Sequence, residues 1–393
     1  MPGKFSEIAL KTYYSCNESG YSGWDPYDGL NSKVFSNTPL NSHPAARLFW
    51  IQVFKHSPIN FRRLLFVAKG KNPKGLALVL SALCNFIDSP LIENGSAFEA
   101  EILDEIVKLA NCLLALRSPG YQNYCWGYDF PWQSRAFYLP RWTPTVVCSS
   151  FVVDALLEAY KKTNRDEYLD ACISCNTFVA DDLNRIETPT GEGFSYSPLD
   201  HRLVYNATLL ATRQLAAVSS TTGDKALLPL AKTSIESTRE AFCENGAILH
   251  SQQVGKAWRD NFHTGFKLEA LSRYQSASGD VDYATIIENS KNYWIENFFL
   301  SDGTAKYYDN ATYPLDIHCA AQFFPTIFHL ELRCSHEQLA GKVINHMIDT
   351  FYKGGGKFRF QRKKRYPINI DYFRWGNAWA LYGMSYYLRM YEV

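Results

Sequence analysis

The chain has no run approaching the roughly 20 apolar residues that a membrane-spanning helix requires. Its first twenty residues carry Lys4, Glu7 and Lys11 and no long apolar stretch, so no export signal is expected. Charge of either sign is not in excess. Forty Lys and Arg against 39 Asp and Glu leave a formal net charge of +1, with the signs interspersed, which gives no overall field for nucleic acid or a membrane. Nucleotide-binding signatures are missing as well: no G-x-G-x-x-G follows a strand, and Lys69-Gly70-Lys71-Asn72-Pro73-Lys74-Gly75 lacks the spacing of a phosphate loop. Metal-ligand spacing is absent; Cys172 and Cys175 have no second pair, so no zinc site, metal or other cofactor is expected. The ten cysteines fall mostly in helical stretches, and free buried thiols with no export signal point to the reducing cytoplasm. No aspartate-rich D-D-x-x-D or D-x-D-D run supports a terpenoid cyclase, although aromatic rings can line a cup that stabilises cations.

What the chain does have is a recurring unit. Residues 258–271 (WRDNFHTGFKLEAL) place an acid, an amide and an imidazole in four positions, Asp260 to His263, and then run into an apolar helix that Asp260 or Asn261 can cap. A short strand, residues 246–250, precedes them. The same order of turn, strand, polar loop and helix leads into helices at 146–160, 207–218, 319–330 and 376–390. Anchored on Pro144, Asn206, His263, His318 and Arg374, successive copies lie roughly 55 to 60 residues apart. Second, amphipathic helices are expected between the copies, at 166–182, 225–243, 283–299 and 336–352. Helix pairs of this kind bury one face against their neighbours, and a circle of about six closes into an all-α (α/α)6 toroid with short strands at the rim of its cup. An open solenoid is disfavoured because each copy carries a different polar loop. We expect residues 1–43 to be an irregular segment closing the ring and residues 44–393 to be one toroid domain. Its first inner helix is placed at 44–55, with outer partners at 74–86 and 99–116.

Aromatic residues make up 15% of the chain. Many stand in the polar loops, among them Trp24, Tyr27, Trp132, Trp142, Tyr205, Phe262, Tyr313 and Trp375. A flat ring with a polar edge suits stacking on a sugar, which has an apolar C–H face and a hydroxyl rim. The helix mouths are expected to point one set of groups at the cup: Arg141, Arg202, Tyr205, Asn206, Asp260, His263, Tyr313, Asp316, His318, Asp371 and Arg374. Asp25 and Asp28 stand in a dense turn with Trp24 that either caps and closes the ring or brings one of them over the cup.

Two chemistries fit. Glycosidic hydrolysis needs paired carboxylates, for which Asp25, Asp28, Asp260, Asp316 and Asp371 are candidates. Elimination or epimerisation beside a uronate carboxylate needs a His or Tyr base and a neutralising Arg, Asn or His. Asp260 and His263 can share one helix face, whereas Asp316 and His318 are too close in sequence to pair without a turn. His263, Asp260, Asp316, His318 and Tyr313 are the catalytic candidates. Trp24, Asp25, Asp28, Arg141, Trp142, Arg202, Tyr205, Asn206, Asp371, Arg374 and Trp375 are the substrate-binding ones. The run Arg362-Lys363-Lys364-Arg365 reads as a solvated loop between strand and helix, with anion binding at the cup mouth as the alternative.

Four ordered phrases carry a family likeness: residues 24–30 (WDPYDGL), 260–266 (DNFHTGF), 313–318 (YPLDIH) and 374–379 (RWGNAW). Together they resemble the VpsJ-like polysaccharide-biosynthesis proteins, with Asn377 and Cys319 where Gln and Ser would be expected. The resemblance implies the six-hairpin glycosidase-like toroid and work on a surface polysaccharide. The expected partner is an oligosaccharide or polysaccharide, uronate-containing or lipid-linked, handled by a hydrolase, lyase or epimerase. A non-catalytic glycan-binding or assembly protein is the alternative.

Overall fold

The computed structural model describes residues 3–135, 137–250 and 259–391. Its helices, in chain order, begin with α1 (Lys4–Glu18), the single turn α2 (Lys33–Ser36) and α3 (Pro44–His56). From there inner and outer helices alternate. The inner ones are α4 (Pro73–Ile87), α6 (Val146–Thr163), α8 (Tyr205–Thr222), α10 (Asn261–Ser278), α12 (Ile317–His329) and α14 (Trp379–Tyr391). Between them run α5 (Ala97–Ala115), α7 (Asp166–Thr177), α9 (Leu228–Glu236), α11 (Ala284–Phe298) and α13 (Glu337–Phe351). Each inner helix packs on the next, α4 on α6 through to α12 on α14, and α14 packs back on α4. The ring is closed, and the (α/α)6 toroid expected from the recurrence is the fold.

Burial explains which helices line the ring. Every residue of α4 from Pro73 to Phe86 is buried, as a helix with neighbours on all sides must be. By contrast α3 buries only Ile51 and Phe54. The expected order is corrected here: α4 is the first inner helix, not an outer one, and α3 lies outside the ring. At the α12–α14 crossing Gly383 allows a close approach, since a Cβ there would fall 2.8 Å from Ala321 Cα.

The N-terminal segment is also corrected, because it is not irregular throughout. Ile8, Ala9, Thr12, Tyr13 and Cys16 recur at helical spacing and are buried, making α1 an amphipathic outer helix. It packs on α14 and so completes the sixth pair. The stretch between α1 and α4 forms a cap with its own small core, Leu30, Phe35 and Ile51, backed by Tyr27, Trp50, Trp132 and Tyr138.

The strands are short, as expected, and pair antiparallel. β1 (Trp132–Gln133) pairs with β2 (Tyr138–Leu139), and β3 (Arg185–Glu187) with β4 (Glu192–Phe194). β5 (Leu315–Asp316) pairs with β6 (Gln361–Arg362), which pairs with β7 (Pro367–Ile368). A π-helical turn, Phe373–Ala378, leads into α14; such turns widen a helix and recur at functional sites. No helix among the described residues is long and apolar enough to cross a membrane.

Candidate active site

Asp260 caps α10: its carboxylate accepts the backbone N–H of His263 at 3.0 Å. The same carboxylate meets the ring, with His263 Nδ1 2.7 Å from Asp260 Oδ2. A spacing of three residues across the first turn is what allows both contacts. The Asp260 side chain is fully buried, whereas that of His263 keeps 19% of its surface exposed. Burial alone would raise the Asp260 carboxyl, but the His263 ring and backbone N–H hold it below its ordinary value. Burial lowers His263, outweighing the pull of Asp260, so the imidazole is neutral at neutral pH. With the carboxylate fixing the proton on Nδ1, Nε2 is left as the basic atom.

His250 sits against this pair, its ring centroid 4.5 Å from that of His263. The ligand atoms of His250, Asp260 and His263 lie within 4.8 Å of one another. Lys267, one turn further along α10, donates to the Leu249 carbonyl at 2.9 Å and thereby ties the segment before His250 to the helix; the strand expected at 246–250 is reduced to a single bridge between Phe242 and Ile248. Burial pushes the Lys267 ammonium down to about 8. Trp258 and residues 251–257, the stretch between His250 and the pair, lie outside the described residues.

At the mouth of α12 the spacing is two, and the result differs. Asp316 accepts the His318 backbone N–H at 3.0 Å, but its other bonds come from Gln361 Nε2 (2.8 Å) and Trp375 Nε1 (3.1 Å). Burial pushes its carboxyl up to about 6 against these bonds. The His318 ring turns inward, between Phe262 at 4.1 Å and Trp379 at 3.7 Å. It is 1% exposed, and neither ring nitrogen has a hydrogen-bond partner among the described residues. Burial, then the charges of Lys74, His263 and Arg374, hold its pKa well below the ordinary imidazole value.

Phe262 therefore separates the two imidazoles, and Trp375 lies edge-on to both Phe262 and His318. Below them Lys74 Nζ rests 4.0 Å from the centroid of Phe151 and 5.4 Å from that of Trp379. Burial, reinforced by Arg374, keeps this amine's pKa well below normal. Lys74, His250 and Lys267 were not singled out in the sequence. The helix read after Asp260 already places Lys267 one turn from His263, whereas only the closed ring shows that the helix expected at 74–86 is an inner one.

A second cluster joins the cap to the last copy. Asp25 makes a two-pronged ion pair with Arg374, at 2.7 and 2.9 Å, and Asp28 pairs with Arg62 at 2.7 Å. A small cavity beside them is lined by Trp24, Asn31, Asn72 and Asp129. Trp24 donates Nε1–H to the Val67 carbonyl at 3.0 Å. These acids close the cap and do not stand free over the cup.

Other expected members do not converge. Asp371 is exposed and held by Lys353 and Lys357 beyond the end of α13. Arg202 is exposed, in a loop where Asp200 accepts the backbone N–H groups of Tyr196, Ser197 and Arg202. Arg141 is exposed beside half-buried Trp142, and Tyr313 is 38% exposed ahead of β5. Tyr205 and Asn206 are buried at the start of α8, with no hydrogen bond to the Asp260–His263 pair.

The sequence matches no protein-family model and no curated protein. Solved structures do share its architecture. A cellobiose 2-epimerase from Bacillus thermoamylovorans superposes with a TM-score of 0.60 at 12% identity, over 80% of this chain and 87% of that one. A GH76 α-mannanase from Bacteroides thetaiotaomicron gives 0.61 at 13% identity, over 81% and 85%. An unsaturated glucuronyl hydrolase specific for heparin gives 0.59 at 10% identity, over 98% and 96%. What is shared at these identities is the six-hairpin glycosidase-like toroid.

Proposed function

We propose that the chain is a carbohydrate-active enzyme in which His263 moves a proton to or from a carbon beside a sugar carbonyl or uronate carboxylate. The reaction is then an epimerisation or an elimination. The observation that carries this is the Asp260–His263 pair: a sealed carboxylate 2.7 Å from an imidazole that keeps a partly open edge. Asp260 orients the ring, and its charge stabilises the imidazolium formed when Nε2 takes the proton. Two-carboxylate hydrolysis fits less well. Asp25 and Asp28 are consumed in buried ion pairs, Asp371 in an exposed one, and Asp316 accepts three hydrogen bonds. The sugar-processing neighbours support the substrate class, and the VpsJ-like phrases favour a surface polysaccharide or its lipid-linked precursor, handled in the cytoplasm.

The test is to incubate the protein with neutral and uronate-containing oligosaccharides in deuterated water. Deuterium entering a carbon position, or absorbance of an unsaturated uronate, is the expected result. New reducing ends with neither signal would make the protein a hydrolase. Saturable binding with no product at all would make it a glycan-binding protein.

A further inference from the structure

From Gly29 to Ile87 the chain holds no Asp or Glu, yet it carries eight Lys and Arg, of which only Arg62 and Lys74 are buried. The near-zero net charge of the whole conceals this stretch. It covers the cap beyond Asp28 and runs on into the buried α4, and the cap is where apolar side chains are most exposed. Of the thirteen large hydrophobic residues exposed among those described, six fall between Val34 and Phe66. Phe49, Ile59, Leu64 and Phe66 are between 61% and 72% exposed. Scattered exposed apolar residues need no explanation, but a concentration of them marks a contact surface.

The backbone holds these side chains out. Leu64 and Phe66 stand on one tight turn, closed by Leu65 N–H to Phe61 O at 2.9 Å and Val67 N–H to Arg62 O at 2.8 Å. Phe66 takes a φ of +53° there, an unfavourable conformation for an aromatic residue. The turn is anchored from within, since the Arg62 guanidinium lies 5.0 Å from the Phe54 ring of α3. Beside the apolar tips stand exposed Arg63, Lys69 and Lys71. The β6–β7 hairpin adds Lys364 and Arg365, and its Tyr366 hydroxyl donates to the His56 carbonyl at the end of α3, at 3.4 Å.

We propose that this cap face docks on an anionic phospholipid bilayer, the apolar tips entering the interface while the surrounding cations meet the headgroups. Apolar side chains ringed by Lys and Arg, with no acid in the segment, match a negatively charged lipid surface. A second copy of the chain would set one cationic face against another.

The experiment is co-sedimentation of the full chain with vesicles of phosphatidylcholine alone or mixed with phosphatidylglycerol. Pelleting with the mixed vesicles and not the neutral ones is expected, weakening as salt is raised. The double variant Leu64→Ser/Phe66→Ser should lower the bound fraction by about tenfold, from the loss of two inserted side chains. A second variant, Lys364→Glu/Arg365→Glu, carries the test should the first fail to fold. Failure to bind mixed vesicles overturns the proposal, as does equal binding to neutral ones. So does a dimer in light scattering that either variant converts to monomer, because the face would then join two copies.

Discussion

The mouths of α10 and α12 are built from the same residue types and do opposite things. Each begins with an Asp that caps its helix and is followed closely by a His. At α10 the three-residue spacing brings the ring back onto the carboxylate, giving a bonded, partly open pair. At α12 the spacing is one shorter. Only the backbone N–H reaches Asp316, and the His318 ring is sealed between Phe262 and Trp379. One residue of register separates a carboxylate-bonded imidazole from one sealed among aromatic rings.

The sharpest way to break this comparison is to remove each imidazole. His263→Gln should lower turnover by about 10² to 10⁴, the usual share of a general base, with an unchanged melting temperature. A drop in melting temperature with activity per folded molecule retained would make His263 a cap and nothing more.

The two acids differ in stability. Asp316 has a folded pKa raised to about 6, so its stabilising contribution is complete below the unfolded value near 4 and is lost as pH rises through about 6. Asp316→Asn should therefore cost about 3 kcal/mol less at pH 7 than at pH 4, read from denaturant unfolding at both pH values. An equal cost at both would show that Asp316 is ionised throughout.

Asp260 is tested by its effect on its partner. Its carboxylate raises His263 against the lowering effect of burial, so Asp260→Asn should move the acid limb of kcat/KM to lower pH. Turnover should fall as the ring loses its orientation. An acid limb that stays in place would detach Asp260 from the titrating group.

The smallest effect belongs to His318→Phe. Replacing two buried nitrogens that lack partners with an apolar edge should stabilise the protein by about 1 kcal/mol. Turnover should fall by less than about tenfold. A loss matching that of His263→Gln would put both imidazoles into the chemistry.

Much of this was legible in the residues. The recurrence from Pro144 to Arg374 marked inner helices that the structure contains, and the capping Asp260 with a His on the same face was visible as a pattern. Inner and outer helices in the first third were not. Lys74 sits in a Gly- and Lys-rich stretch that resembles a surface loop, yet it begins the most buried helix of the ring. Asp25 and Arg374 are separated by 349 residues, and no local pattern reports that they meet. Asp371 matched its counterparts in sequence order but is drawn outward by Lys353 on another element, a tertiary contact that spacing does not encode.

The pairing of α1 with α14 bears on how the chain is made. α1 leaves the ribosome long before its packing partner α14, and α4 likewise waits for α14. Until α14 emerges, α1 has an uncovered apolar stripe and the barrel of inner helices has a gap. Contacts so far apart in sequence close slowly and leave growing chains prone to misassembly. A chain stopped before Trp379 would be expected to depend on chaperones or to precipitate, even with five of its six pairs complete.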